Sequence, residues 1–434
     1  MDQVVLSSGD TAWMLASTAL VLLMTPGLAF FYGGMVRTKS VLNMMMMSMI
    51  TIGIVSILWV IYGFEIAFGY SSDSPWYGGI GRSGLGGAVN ELTNNGGIYP
   101  IPLLVFAAFQ LMFAIITPAL ISGAIADRAK FTSWAVFVTI WSTVVYFPVA
   151  HWVFAFGNKV GDTVTSVGYL AGKGVQDFAG GTAVHINAGA AGLALAIVLG
   201  KRVGWRKESM RPHSLPLVML GSGLLWFGWF GFNAGSSLAA NGIAGLALMN
   251  TQVATAGALM GWLLVERIRN GHATSLGASS GIVAGLVAIT PACAFVAPWA
   301  AVVIGFFAGV LCALAVSLKY TFGFDDSLDV VGLHLVGGIW GSLAIGLFGT
   351  SAVNSIGLDG IFYGGGIALL GKQALGVGLV FAYSFVATLI IGYAIEKTIG
   401  FRVSSEVETE GIDLNEHAES AYELAGSSHG GKLL

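Results

Sequence analysis

The sequence predicts an all-α polytopic membrane protein, and three observations carry that expectation. Of 434 residues, 56% are hydrophobic and 9% charged, whereas soluble domains carry about 25% charged residues. Mean hydropathy is +0.81. Apolar stretches long enough to cross a bilayer recur along the chain. The 63 glycines are about double the usual share and suit close helix packing in lipid. Lys+Arg total 19 against Asp+Glu 22, a net charge of −3, so no basic surface is left over for nucleic acid. The composition also excludes a disordered chain and argues against a soluble enzyme. Cys293 and Cys312 lie in apolar runs and form no disulfide framework or metal spacing.

A crossing helix needs roughly 20 mostly apolar residues. Eleven stretches qualify, near 11–36, 41–68, 99–124, 131–156, 178–200, 214–236, 246–265, 274–294, 298–318, 328–349 and 374–398. The first is read as a mature span, because acidic Asp2 and Asp10 stand where a signal peptide would carry basic residues. With the N-terminus outside, the inner loops and C-terminal end hold Arg37, Lys39, Arg128, Lys130, Lys201, Arg202, Arg206, Lys207, Arg211, Arg267, Arg269, Lys319, Lys397, Arg402 and Lys432. The outer loops hold only Arg82, Lys159, Lys173 and Lys372. This asymmetry predicts N-out, C-in. Residues 1–400 form the transmembrane domain. The segment 401–434 is a polar, acidic tail with two readings: a solvated end, or a regulatory segment that docks on the cytosolic face through Ile412, Leu414, Tyr422 and Leu424.

One spacing recurs. Asp177 precedes His185 by eight residues, and Asp326 precedes His334 by eight. Ala188, Gly189 and Gly192 follow the first histidine, and Gly337, Gly338 and Gly341 follow the second at equivalent offsets. The copies fall in spans five and ten, which cross in opposite directions. This predicts two inverted five-helix repeats, about 11–200 and 214–349, plus an eleventh helix near 374–398. Such repeats place a substrate site between them near the bilayer midplane.

A histidine inside the hydrocarbon layer is costly and normally faces protein or a cavity. The bland alternative is a buried histidine satisfied by a backbone carbonyl. Two facing neutral imidazoles can share one proton and present a polar line through an apolar pore. Zinc would need three or four ligands, and neither histidine has a third partner in view. His151 is a weaker candidate, while His213, His272, His417 and His429 fall in loops or the tail. Asp177 opens a span, where a carboxylate can accept helix-start N–H groups; direct cation binding is the alternative. Asp326 and Asp329 read the same way.

Phe109, Gln110 and Phe113 lie on successive turns of span three. Trp226, Trp229 and Phe232 share one face of span six, just before Ser236. Ring faces attract cations, and rings can also close a pore.

These residues resemble the Amt/Mep/Rh ammonium transporter family, in its bacterial and archaeal Amt branch. The segments Asp177 to His185 and Asp325 to His334 carry the resemblance. So do PGLAFFYGGMVRTKSVLNMMM, WFGFNAGSSLAANGIA, SSGIVAGLVAITPAC and EGIDLNEHAESAY, and it covers essentially the whole chain. It implies eleven spans, a homotrimer with one pore per subunit, and residence in the cytoplasmic membrane. It implies that His185 and His334 are paired pore histidines and that Phe113 and Phe232 form a ring gate. Phe109, Ser236 and Asp177 match positions at or beneath an external ammonium site, and Gln110 neighbours it. The family often carries tryptophan where this chain has Phe154, whose ring attracts cations less and lacks an indole N–H. Trp152 cannot replace it, because two residues along a helix point to different faces.

The expected function is therefore transport of ammonium or ammonia across the lipid bilayer, without a cofactor and without enzymatic chemistry. A PII-type regulator at the cytosolic face is the expected partner of the tail. The rivals are an ammonium sensor of the same fold with little transport, and a membrane enzyme using the histidines with a metal.

Overall fold

The computed structural model describes residues 5–93, 100–160 and 163–422. Lys432, His429, Leu424 and Asp2 lie outside the described residues, and so does the side chain of Lys159. The protein is mostly helical. Ten helices among the described residues are long and apolar enough to cross a membrane. They are α1 (Ser8–Met35), α2 (Thr38–Phe68), α3 (Leu103–Ile125), α4 (Phe131–Phe154), α5 (Gly181–Leu199), α6 (Leu215–Gly235), α7 (Gly242–Asn270), α9 (Pro298–Phe322), α10 (Val331–Phe348) and α11 (Ala368–Thr398). The expected span near 274–294 is shorter than anticipated: α8 (Ser275–Ile289) has 15 residues. At 1.5 Å per residue it falls short of a hydrocarbon layer of about 30 Å. Pro291 follows, which cannot continue a helix, and the chain proceeds in turns.

Helices pack where glycine permits. Ser214 N donates to Gly34 O at 3.1 Å at one end of α1 and α6. Trp13 Nε1 donates to Ala234 O at 3.4 Å at the other, so the two run antiparallel. Between α7 and α9, a Cβ at Gly305 or Gly309 would strike the carbonyls of Ala254 or Ala258. Small residues let backbones approach where lipid supplies no hydrophobic drive between helices.

Two features have no counterpart in the apolar pattern. A two-stranded antiparallel hairpin, β1 (Phe156–Val160) and β2 (Thr163–Val167), follows α4 with Phe156 opposite Val167. The helices also contain π-helical turns, two of which, Gly181–Ile186 and Val331–Leu335, carry the histidines.

The bundle's tail-bearing end is knitted by charge. Arg202 donates to both Asp325 oxygens at 2.9 Å and to Asp127 at 3.2 Å. Fully buried Arg128 reaches Ser327 Oγ and the Asp325 carbonyl, both at 2.6 Å. Burial lowers the Arg128 pKa to about 10, partly offset by the Asp325 charge. The tail lies on this end of its own chain. It is anchored mainly by acids: Asp413 accepts from Leu42 N (3.0 Å) and Asn43 N (2.8 Å), and Glu416 accepts from Phe131 N at 2.9 Å. Glu408 pairs with Arg402 at 2.7 Å. Of the anticipated apolar anchors, Ile412 is buried while Leu414 is 70% exposed. Helix starts hold unpaired N–H groups that suit carboxylates, which explains an acidic segment seated on the starts of α2 and α4.

Candidate functional site

The duplicated aspartates share a local job. Asp177 accepts from the N–H groups of Gly180, Gly181 and Thr182 at 2.7–2.8 Å, and from Thr182 Oγ1 at 2.5 Å. Asp326 accepts from Val330 N at 3.1 Å and Val331 N at 2.8 Å. Each carboxylate thus caps the π-helical turn that carries its histidine. Gly180 holds φ +125°, a conformation open to glycine at little cost.

The glycines four residues beyond each histidine work reciprocally. A Cβ on Gly189 would stand 2.5 Å from Leu335 N, and one on Gly338 would stand 3.2 Å from His185 Cβ and 3.1 Å from Gly181 O. The two turns therefore cross in direct backbone contact, running antiparallel. This places His185 Nδ1 3.3 Å from His334 Nδ1, with near-parallel rings 5.3 Å apart. Both imidazoles are buried. One ring donates its Nδ1–H and the other accepts. The donor's Nε2 is then an acceptor, and the acceptor's Nε2 carries a hydrogen. His185 Nε2 has no hydrogen-bond partner among the described residues, leaving that edge free for a small polar guest.

A line of rings leads to this pair. Phe109 meets Phe113 edge-on at 4.9 Å, and Phe113 covers Phe232 at 4.2 Å. Phe232 lies 5.3 Å from Trp229, which stacks on His185 at 5.3 Å. Trp229 is held by its Nε1–H donating to Thr290 Oγ1 at 2.8 Å. Trp226 makes none of these ring contacts among the described residues.

Outside the Phe113–Phe232 pair lies a small cavity of about 30 Å³. Gln110, Phe113, Phe154 and Ser236 line it, and so do Phe106, Phe156, Phe178 and Leu238. Ser236 Oγ donates to Phe232 O at 2.8 Å, which leaves its lone pairs available. Phe109 lies beneath the cavity, fully buried. Asp177 does not line it; its neighbour Phe178 does. Trp152 points elsewhere, donating to Trp76 O at 3.0 Å. His151 stands 2.9 Å from Ala67 O and 3.2 Å from Ser74 O, tying the end of α2 and the loop after it to α4.

Four lining residues escaped sequence reasoning. Phe106 was legible, since it precedes Gln110 by four and Phe113 by seven. Phe156 was not. The helix stops at Phe154, and Ala155 is extended with ψ 97°, so residues 154 and 156 reach one side as in a strand. Phe178 and Leu238 come from loops. Among the described residues, no three His, Cys, Asp or Glu side chains converge as a metal-ligand set.

Comparison with known proteins identifies the family and the fold. Residues 12–422 match the model of the Ammonium Transporter Family. An ammonium transporter of Mycobacterium tuberculosis is 57% identical over 97% of this chain and 91% of its own. Ammonium transporter Amt1 of Archaeoglobus fulgidus is 43% identical over 96% of this chain and 100% of its own. The crystal structure of Saccharomyces cerevisiae Mep2 superposes with a TM-score of 0.84 at 33% identity, covering 92% of this chain and 88% of that one. With its spans, its buried histidine pair and these relatives, the chain belongs to the ammonium transporter family.

Proposed function

We propose that this protein conducts ammonia through the histidine pair after ammonium is recruited at the outer aromatic cavity. The carrying observation is the ring line from Phe113 through Phe232 and Trp229 to His185 and His334. Phe154, Phe156 and Ser236 offer ring faces and a hydroxyl acceptor to a cation. Beyond them the path is aromatic and buried, with no acidic side chain lining the outer cavity. An intact cation there lacks compensation, so ammonium gives its proton to solvent water at the mouth of the cavity, leaving ammonia and hydronium, before the Phe113–Phe232 rings separate. Ammonia is both donor and acceptor, and the two Nε2 edges offer one of each.

The basic residues sort to the tail-bearing end, which supports N-out, C-in in the cytoplasmic membrane. The eleven-crossing count includes short α8 continued by its turns, and the antiparallel α5 and α10 suit inverted halves. A homotrimer and a PII-type partner at the tail complete the proposal.

The test is purified protein in liposomes given an ammonium pulse, with current and internal pH recorded together. Ammonium flux above empty vesicles is expected, and the current reports whether the proton follows. Absence of flux in correctly folded protein would overturn the proposal in favour of a sensor.

A further inference from the structure

The chain between α6 and α7, residues 236–241, holds a conformation that its sequence resists. Leu238 has φ +55°. In that left-handed region a Cβ crowds its own backbone, and glycine fits at little cost. Among the described residues, seven non-glycine residues have positive φ, and Leu238 is the one that borders the outer cavity. A strained residue persists where its surroundings over-determine it. Leu238 N donates to Gly235 O at 2.9 Å. The Ser237 hydroxyl lies 2.7 Å from Ala234 O and 2.6 Å from Ala239 O. Ala240 N donates to the Asp10 carboxylate at 2.7 Å. Asn241 Oδ1 caps α7, accepting from Ile243 N and Ala244 N, both at 3.0 Å. The segment is thus tied to α1, α6 and α7, and Leu238 has no slack in which to relax.

Glycine would make the same turn with less strain, so what the position supplies is a side chain. Leu238 is buried. It is the single aliphatic residue bordering the cavity among the described residues; the others are phenyl rings, the Gln110 amide and the Ser236 hydroxyl. Ring faces and oxygens attract an ammonium ion. An aliphatic wall offers no such attraction and contributes shape. The cavity volume of about 30 Å³ compares with the ~10–15 Å³ that one water requires. Ammonium, with one heavy atom, is a guest of water's size. Methylammonium has two, and its methyl group finds no hydrogen-bond partner.

We propose that Leu238 is a specificity-determining residue: its pinned backbone holds the isobutyl group as a wall beside Ser236, so that the outer cavity takes ammonium and disfavours alkylammonium ions. The proposal rests on the reading of this cavity as the ammonium site. A pocket fitted to its guest distinguishes one extra methylene by roughly 10–200-fold. Taking away the wall should give back a large part of that discrimination, whereas a leucine that only packs the loop would leave it where it was.

Titration calorimetry of the purified full chain in detergent reads the cavity without requiring flux. The probes are ammonium chloride and methylammonium chloride, with sodium chloride as the blank. Wild type should prefer ammonium by about tenfold or more. Leu238→Gly and Leu238→Ala should each narrow that preference about tenfold. Leu238→Gly should melt no lower than Leu238→Ala, because glycine alone relieves the positive φ. The alanine variant keeps the strain and removes the wall, so it reads selectivity even where the glycine variant folds poorly. An unchanged preference in both variants, or equal binding of the two ions by wild type, would overturn the proposal. So would a glycine variant that melts well below the alanine variant, since the position would then carry no strain. Ammonium flux recorded on the same preparations separates this inference from the transport reading. A narrowed preference without flux in any variant or wild type overturns transport and keeps the role of Leu238. Flux with an unchanged preference does the reverse, and absence of ammonium binding by wild type overturns both.

Discussion

At the scale of single residues, the histidine contact is the most consequential. Removing one imidazole at a 3.3 Å shared hydrogen bond strands the other, which is costly in a buried site. His185→Ala and His334→Ala should each cut ammonium flux per folded molecule severely or let intact cations pass. The double variant should lose clearly less than the sum of the single losses, since contacting residues act as a unit. Wild-type flux and selectivity in both single variants would reduce the pair to packing. The outer rings should act on affinity instead. Phe154→Trp should lower the half-saturating ammonium concentration by up to about fivefold, because indole is the better cation partner. Phe156→Leu keeps bulk but loses the ring face, and should raise it about two- to fivefold. If Phe154→Trp shifts and Phe156→Leu does not, Phe156 only lines the mouth.

At the scale of elements, the crossing of the two π-helical turns depends on glycine. Gly189 faces backbone at 2.5 Å, whereas the tightest contacts at Gly338 are near 3.0 Å. Gly189→Ala should therefore destabilise the protein by about 1–3 kcal/mol through overpacking and disturb flux. Gly338→Ala should cost less. Thermal unfolding in detergent ranks the two, and the reverse order would show that backbone contact does not set the crossing. The Asp325 cluster is a second element-scale device. Burial opposes ionisation of Asp325, yet the Arg202 hydrogen bonds and the charges of Arg128 and Arg202 outweigh it and hold its pKa below the ordinary value. A depressed pKa contributes stability that is present above the ordinary carboxyl range and lost as pH falls through the folded value. Asp325→Asn should flatten that acid limb and destabilise at neutral pH by about 3–5 kcal/mol, because two buried guanidiniums lose their counter-charge. Melting curves from neutral to acid pH check both; an unchanged acid limb would refute the assignment.

At the scale of the whole molecule, the tail ties loops that are far apart in sequence. Asp413 reaches the start of α2, Glu416 the start of α4, and Tyr422 OH stands 3.0 Å from His213 Nε2 ahead of α6. Asp413→Ala should cost the docked tail about 1 kcal/mol, the usual worth of a helix cap, and speed hydrogen exchange over residues 405–417. Truncation from Val403 should alter ammonium flux or its response to a PII protein. Flux and regulator binding both unchanged would leave the tail a structural strap alone.

The sequence alone determined what local rules decide. Apolar length placed ten of the eleven expected spans, and the D-x7-H spacing singled out the two histidines that the fold brings into contact. The capping reading of Asp177 was open from the same spacing. Only the tertiary structure decided where helices stop and what meets across them. The halt of α4 at Phe154 turns Phe156 toward the outer cavity. The wider π-helical turns aim His185 and His334 at each other. The tail is held by Asp413, Glu408 and Glu416, while Leu414 stays in solvent. Each of these depends on contacts between residues a hundred or more positions apart, or on a helix end whose backbone angles no periodicity encodes.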